Sequence, residues 1–233
     1  ECIDGKTIEE SSVYDPKEPY KNRDPRLAAS LIYPGCLYEG SCFNPIDKAD
    51  PTGDYYAPYG RSKTGYHTRK YIDNLSDYAD MWNTGMNAIV MRYAEVLLMY
   101  AESKIEQNQI DASVYDALNA VRTRAGMPEV DQSIYNSQAK MRDLVRRERR
   151  VELAMEGLRW FDICRWKIGE EVMPGQVYGA LLGTVDPETG ALNLTDERIK
   201  VEVRLFDPAK NYLWPIPQSV IDATPAIVQN PGY

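Results

Sequence analysis

The chain has 233 residues, 43% hydrophobic and 27% charged, and its 35 acidic against 27 basic side chains give a formal net charge of −8. Such a length suits one domain or a large fragment, and it buries roughly 70% of the extended-chain surface, ample for a core. Plentiful aromatic residues exclude a disordered chain, no apolar run approaches the ~20 residues of a membrane span, and an acidic balance argues against nucleic acid as partner.

The opening residues, Glu1 to Gly5, carry neither the basic nor the apolar region of a secretory leader. Cys2 is not expected to carry a lipid, because that chemistry acts on a cysteine in first position and Glu1 precedes it. Residues 1–85 lack sustained helical periodicity and are rich in Gly, Pro, Asp, Asn and Tyr, which reads as loops, turns and short strands. Asp24-Pro25-Arg26 and Asp50-Pro51-Thr52-Gly53 are turn signals. Cys36 and Cys42 flank a short Gly-punctuated loop; a disulfide there would add roughly 2 kcal/mol through loop-closure entropy, and two free thiols fit equally well.

From Asn87 the pattern changes. Residues 88–107 contain no Gly or Pro, and Val90, Ala94, Leu97, Ala101 and Ile105 recur at three-to-four spacing. Ile89, Tyr93, Val96 and Tyr100 widen that face, so the helix is expected to be buried on most sides. Val114–Ala125 forms a second helix, stopped by Gly126 and Pro128, and completes a helical hairpin. Gln138–Glu156 is a third helix with Gly157 as its cap, and Leu158–Ile168 a fourth, ended by Gly169. Cys164, among Trp160, Phe161, Ile163 and Trp166, reads as a small buried hydrophobe. Residues 170–211 are irregular, with a short ribbon suggested by alternation in Lys200–Phe206. Beyond them the prolines of residues 212–219 enforce an extended course.

Two constellations invite a chemical reading. Glu148, Glu152 and Glu156 stack at four-residue spacing, with Cβ atoms ~6 Å apart, and paired carboxylates ~5 to 9 Å apart are the equipment of a glycoside hydrolase. Seven arginines surround that stretch (Arg142, Arg146, Arg147, Arg149, Arg150, Arg159 and Arg165). A like-charged stripe needs close cations, so an ion-pair network outweighs a catalytic pair. The same local balance demotes the basic block as a nucleic-acid patch. His67 is the only histidine and lies in the loop-rich part, which excludes a carboxylate-bridged dimetal site on the helices and any serine or cysteine nucleophile system. The acidic turn from Asp186 to Glu197 departs from the Ca²⁺-binding loop pattern and reads first as a surface turn, with a structural Ca²⁺ as the lesser alternative and no other cofactor expected.

The second constellation is aromatic. Tyrosine occurs 17 times against 3 phenylalanines. Tyr38, Tyr55, Tyr56, Tyr59, Tyr66, Tyr71, Tyr78 and Trp82 cluster in the loop-rich part, where rings can stack on the apolar faces of sugars. Asn44, Asp54, Arg61, His67 and Arg69 stand among them as partners for hydroxyls. The competing reading is that several rings simply pin loops to the helices.

Several runs resemble the SusD/RagB family. They are residues 20–27 (Tyr-Lys-Asn-Arg-Asp-Pro-Arg-Leu), 91–102, 118–126 and 147–157, then Arg159-Trp160-Phe161-Asp162, Arg165-Trp166, Pro215-Ile216-Pro217 and residues 229–233. They follow family order over nearly the whole chain; Thr224-Pro225, where the family more often has Asn-Pro, is a small departure. The resemblance implies a mostly α-helical fold, with tetratricopeptide-like helix pairs, long irregular loops and minor β structure. It also implies that residues 1–233 form a single region like the C-terminal half of such proteins. In it 1–86 is loop-rich and faces ligand, 87–169 is a helical scaffold and 170–233 an irregular C-terminal segment. The N-terminal half of the family, with its lipidated cysteine, has no counterpart here, so an apolar patch is expected to lie exposed.

By the same resemblance the activity is non-catalytic: capture of oligosaccharide or starch-like polysaccharide on the extracellular face of the outer membrane. The ligand passes to a TonB-dependent SusC-like transporter, and membrane contact comes only through the lipid anchor. Expected ligand residues are Tyr38, Tyr55, Tyr56, Tyr59, Tyr66, Trp82, Asn44, Arg61 and His67. Arg92, Glu95, Glu102, Arg122, Arg124, Glu148, Glu152, Glu156 and Arg159 are the expected ion-pair network. The alternatives are a helical-repeat module that binds peptide or the transporter alone, and a glycoside hydrolase using the glutamate stripe.

Overall fold

A computed structural model describes residues 1–51, 53–56, 62–72, 77–80, 83 and 85–233. The helices are α1 (Arg26–Ser30), α2 (Tyr93–Glu106), α3 (Ala112–Arg124), α4 (Gln138–Glu152), α5 (Arg159–Trp166), α6 (Gly169–Val172) and α7 (Gln218–Ala223). Strands are short apart from one long hairpin: β1 (Leu31–Ile32) pairs antiparallel with β4 (His67–Thr68), β2 (Leu37–Tyr38) with β3 (Ser41–Cys42), and β5 (Gly175–Val185) with β6 (Leu192–Arg204). A 3₁₀ turn spans Asp54–Tyr56. Helices dominate and the sheets are small, as the resemblance implies.

The core lies where α2 packs against both α3 and α4. Leu98, Ala101 and Ile105 of α2 meet Val114, Leu118 and Val121 of α3 and Met141, Leu144 and Val145 of α4, all buried. Each such aliphatic side chain contributes roughly 1.5–3 kcal/mol through its removal from water. Helix α3 starts at an Asp111 cap, whose Oδ1 accepts from the Ser113 amide at 3.0 Å. Its last turn carries Arg122 and Arg124, favourable to the helix dipole, and Gly126 follows at φ +78°.

Several element limits differ from the periodicity. Helix α2 begins at Tyr93, not Ala88, because Arg92 is extended (φ −138°, ψ 159°) and its side chain is held by Glu152 at the end of α4 and Glu156 beyond it. Helix α4 ends at Glu152, as Met155 and Gly157 both take positive φ; Glu156 therefore stands beyond the helix. Gly169 opens the short α6 instead of closing a helix. The ribbon expected at Lys200–Phe206 is one end of a hairpin running from Gly175 to Arg204. All four cysteines are free, and Cys164 is only half buried.

Helix α2 is not buried on most sides. Within it Tyr93 is 72% exposed, and Val96, Met99 and Tyr100 are also exposed, while Ile89, Val90 (94%) and Met91 lie exposed in the segment that precedes it. An apolar period marks a face that can pack, and here Leu98, Ala101 and Ile105, flanked by the partly buried Ala94 and Leu97, form the face that enters the core.

The loop-rich part is tied to the hairpin. Ile46, Ala180 and Val185 form a small buried cluster joined by Tyr66, Leu192, Leu194 and Ile199. Thr64 accepts the Ala180 amide at 2.8 Å. Gly35 (φ +81°) and Gly190 (φ +71°) approach so closely that a Cβ on either would overlap the other's carbonyl oxygen. This contact seats the β5–β6 turn against the loop that carries Cys36 and Tyr38.

Candidate functional site

The glutamate stripe lies in a buried electrostatic network. Glu148 is fully buried; its Oε1 accepts from Arg26 Nη1 at 2.5 Å and its Oε2 from Arg122 Nη1 at 2.8 Å. Glu152 Oε1 accepts from Arg92 and Arg124, both at 2.5 Å, and Oε2 from Arg26 at 2.9 Å. Glu156 accepts from Lys70 Nζ at 2.7 Å and from Arg92 Nε and Nη2 at 2.8 and 2.7 Å. Asp24 closes the ring, taking Arg26 Nη2 at 2.6 Å. A cleft of about 270 Å³ opens beside these groups, lined by Ser30, Lys70, Tyr71 and Ile89 as well as Arg92, Glu152 and Glu156.

The chemistry of this cleft follows from the pairing. Burial alone would push the Glu152 and Glu156 carboxyls upward, but hydrogen bonds outweigh it and hold both below the ordinary carboxylate range: from Arg92 and Arg26 to Glu152, and from Arg92 and Lys70 to Glu156. A glycosidase acid needs a raised pKa and a proton to give. Every carboxylate oxygen of the stripe already accepts a bond from a cation, so the arrangement is that of a structural clasp.

A second network joins α4 to α2 and α5 through Arg149. Glu102 takes Arg165 Nη1 and Nη2 in bidentate fashion, each at 2.6 Å, and Trp166 Nε1 at 2.6 Å. Asp162 takes Arg149 Nη2 at 3.1 Å and Arg165 Nε at 2.8 Å. Two of the expected network residues stand apart: Glu95 and Arg159 have no ion pair among the described residues. Arg159 instead lies 5.8 Å from the Trp166 ring. None of the seven arginines of residues 142–165 pairs with the stripe. Those on α4 project from other faces of the same helix, and the cations that answer the glutamates come from other segments.

The expected ligand residues have varied surroundings. Tyr66 is half buried, its hydroxyl 3.0 Å from that of Tyr20, and burial pushes its phenol pKa up. Tyr38 packs against the Ile32–Cys36–Phe43 cluster. His67 is paired to Ile32 in the sheet, its ring 5.4 Å from that of Phe43. The Asn44 amide N–H donates to Asp54 Oδ2 at 2.8 Å, and its side chain to Asp50 at 3.4 Å, so it braces the loop. Tyr55 differs: with Lys48, Lys63 and residues 197–201 of β6 it lines an open groove of about 670 Å³. Tyr56 ends the same 3₁₀ turn. Tyr59, Arg61 and Trp82 lie outside the described residues.

The sequence sets Arg149 and Arg165 against the glutamate stripe, whereas they pair with Asp162 and Glu102; Arg26, Lys70 and Asp162 lie outside the expected network. For Arg26 the marks are the Asp24-Pro25-Arg26 turn and the family-like run of residues 20–27, and neither names its partners 122 and 126 positions away. Lys70 carries no such mark, because its partner is 86 positions away.

The SusD family model matches residues 2–233. The chain belongs to the SusD family. Among solved structures, it is similar to a SusD-like carbohydrate binding protein from Bacteroides fragilis, with 36% identity and a TM-score of 0.77 over 97% of this chain and 45% of that one. A second SusD-like protein from Bacteroides fragilis shares 27% identity at a TM-score of 0.71, covering 100% of this chain and 45% of the other. SusD-like protein P2 of Formosa agariphila is 31% identical over 153 residues, 63% of this chain and 26% of P2. The chain thus spans less than half the length of these relatives.

Proposed function

We propose that this chain forms the ligand-capturing part of a non-catalytic glycan-binding protein on the extracellular face of the outer membrane. It delivers oligosaccharide to a TonB-dependent, SusC-like transporter, and a lipid anchor supplies the membrane contact. The carrying observation is the division of labour in the fold. The carboxylates are committed to guanidinium and ammonium partners inside the scaffold, while Tyr55 borders an open groove on the loop side. The similarity to a carbohydrate-binding protein of Bacteroides fragilis supports the ligand class.

Of the ligand residues named from sequence, Tyr55 is the first choice. Tyr56 follows it in the same 3₁₀ turn, Tyr59, Arg61 and Trp82 stay candidates from the sequence alone, and Tyr38, Tyr66, Asn44 and His67 are engaged in packing or in bracing the loop. Affinity arises from ring stacking and hydroxyl hydrogen bonds summed over several sugar units. Isothermal titration against a panel of oligosaccharides tests the reading, with reducing-end release followed in parallel. Binding without turnover, weakened by Tyr55→Ala, is expected. Turnover would return the glutamate stripe to catalysis, and capture of a transporter with no glycan affinity would favour a protein-binding module.

A further inference from the structure

We propose that the groove beside Tyr55 is a subsite for anionic sugars, carrying carboxylate or sulfate groups. This deepens the glycan-binding reading, on which it rests, by naming the charge of the ligand. The chain as a whole is acidic, with 35 acidic against 27 basic side chains. The groove inverts that balance: among the described residues, Lys48, Lys63, Arg198 and Lys200 line it against the carboxylate of Glu197. Glu197 is taken by Lys48 at 3.3 Å. Lys63, Arg198 and Lys200 have no ion pair among the described residues.

These three cations come from two segments that are fastened together. Arg198 and Lys200 are two apart on β6, where alternate residues share a face, and so stand ~7 Å from each other, on the scale of one sugar unit. Lys63 projects from a turn in which the Ser62 and Thr64 hydroxyls bond at 2.9 Å, and the Thr64 carbonyl accepts the Ala180 amide of β5 at 2.8 Å. The backbone beneath the cations is thereby fixed, and the Tyr55 ring adds an apolar wall. Charged residues on an edge strand also prevent strand-to-strand aggregation. That role needs Arg198 and Lys200 alone; it needs neither Lys63 from a separate turn nor an aromatic ring beside them. Guanidinium is suited to bidentate contact with carboxylate and sulfate oxygens. In a chain that is acidic overall, a basic groove of this kind would draw an anionic chain toward itself.

The test titrates the 233-residue chain with three probes: oligogalacturonate for carboxylate, sulfated carrageenan oligosaccharides for sulfate, and a neutral galactan oligosaccharide. At low salt at least one acidic probe should bind about tenfold or more tightly than the neutral one, and the preference should shrink at high salt as screening shortens to ~3 Å. Which acidic probe wins identifies the anionic group. A triple variant, Lys63→Gln, Arg198→Gln and Lys200→Gln, should abolish the preference while melting like the parent, since all three side chains are exposed. Neutral and acidic probes binding alike, with the variant unchanged, would overturn the anionic subsite and leave glycan binding intact. Absence of binding to any oligosaccharide, across the broader panel as well, would overturn both.

Discussion

Replacing Glu152 by alanine probes the clasp directly. The wild-type carboxylate, almost wholly buried, neutralises parts of three guanidiniums: Arg26, Arg92 and Arg124. Breaking a buried ion pair by deleting one partner costs about 3–5 kcal/mol. Here Arg26 keeps Asp24 and Glu148, Arg92 keeps Glu156 and the Glu152 carbonyl, and Arg124, 57% exposed, regains water. The expected loss therefore sits at the lower end, about 3 kcal/mol, a sizeable share of a total near 5–15 kcal/mol. For a chain of this length that lowers the melting temperature by roughly 6–12 °C, read by circular dichroism at the helical band. Glu106→Ala is the control: its pairs with Arg142 and Arg146 lie at the surface and should be worth at most ~1 kcal/mol. If Glu152→Ala melts no lower than Glu106→Ala, the network does not hold the fold and the platform argument fails.

The remaining tests address acid, rings and turns. Asp24, Glu152 and Glu156 are held below the ordinary carboxylate range, since arginine hydrogen bonds outweigh the opposing effect of burial. The folded chain thus binds fewer protons than the unfolded one, and the associated stability is fully present above about pH 4.3 and lost as pH falls through the folded values. A urea midpoint unchanged between about pH 6 and about pH 3 would contradict this. Tyr66→Phe removes the hydroxyl contact to Tyr20 and should cost about 1 kcal/mol in stability without weakening oligosaccharide binding. Tyr55→Ala should weaken oligosaccharide binding about tenfold. Gly35→Ala should destabilise the chain more than Gly40→Ala, although both glycines have φ +81°, because only at Gly35 does the new methyl strike backbone; equal melting temperatures would argue that the Gly35–Gly190 contact does not seat the hairpin.

Helix positions and the stacking of Glu148 with Glu152 were legible because both depend on local spacing. What was not legible depends on the rest of the molecule. Arg92 looked like an interior helix residue, yet Glu152 and Glu156 hold it where the backbone is still extended. The arginines nearest the stripe in sequence were expected to neutralise it. One helix cannot turn adjacent positions to the same side, so the answering charges arrive from residues 26, 70, 92, 122 and 124. The hairpin was half missed because Gly179 and Gly183 and the register shifts between Val177 and Gly183 interrupt the alternation of β5. Tyrosine density marked the right part of the chain but did not separate Tyr66, which seals a core, from Tyr55, which lines a groove.

Why the scaffold should be fastened by charge can be argued from the same geometry. An apolar seam of equal volume would often be as stable or more so, but it tolerates sliding, since one aliphatic contact substitutes for another. Bidentate guanidinium pairs do not slide without leaving a charge bare. The clasp joins α1, the loop at Lys70, the start of α2, the end of α3 and the end of α4. Lys70 lies two residues beyond β4, and α1 runs directly into β1, its sheet partner. Both strands beneath the tyrosine-bearing loops are therefore anchored at one end to Glu148, Glu152 or Glu156. On the proposed function, the described parts of these loops would gain a fixed orientation from this anchoring, and weak stacking contacts summed over a sugar chain would need it, because each loop ordered only on binding would subtract from an affinity with little to spare.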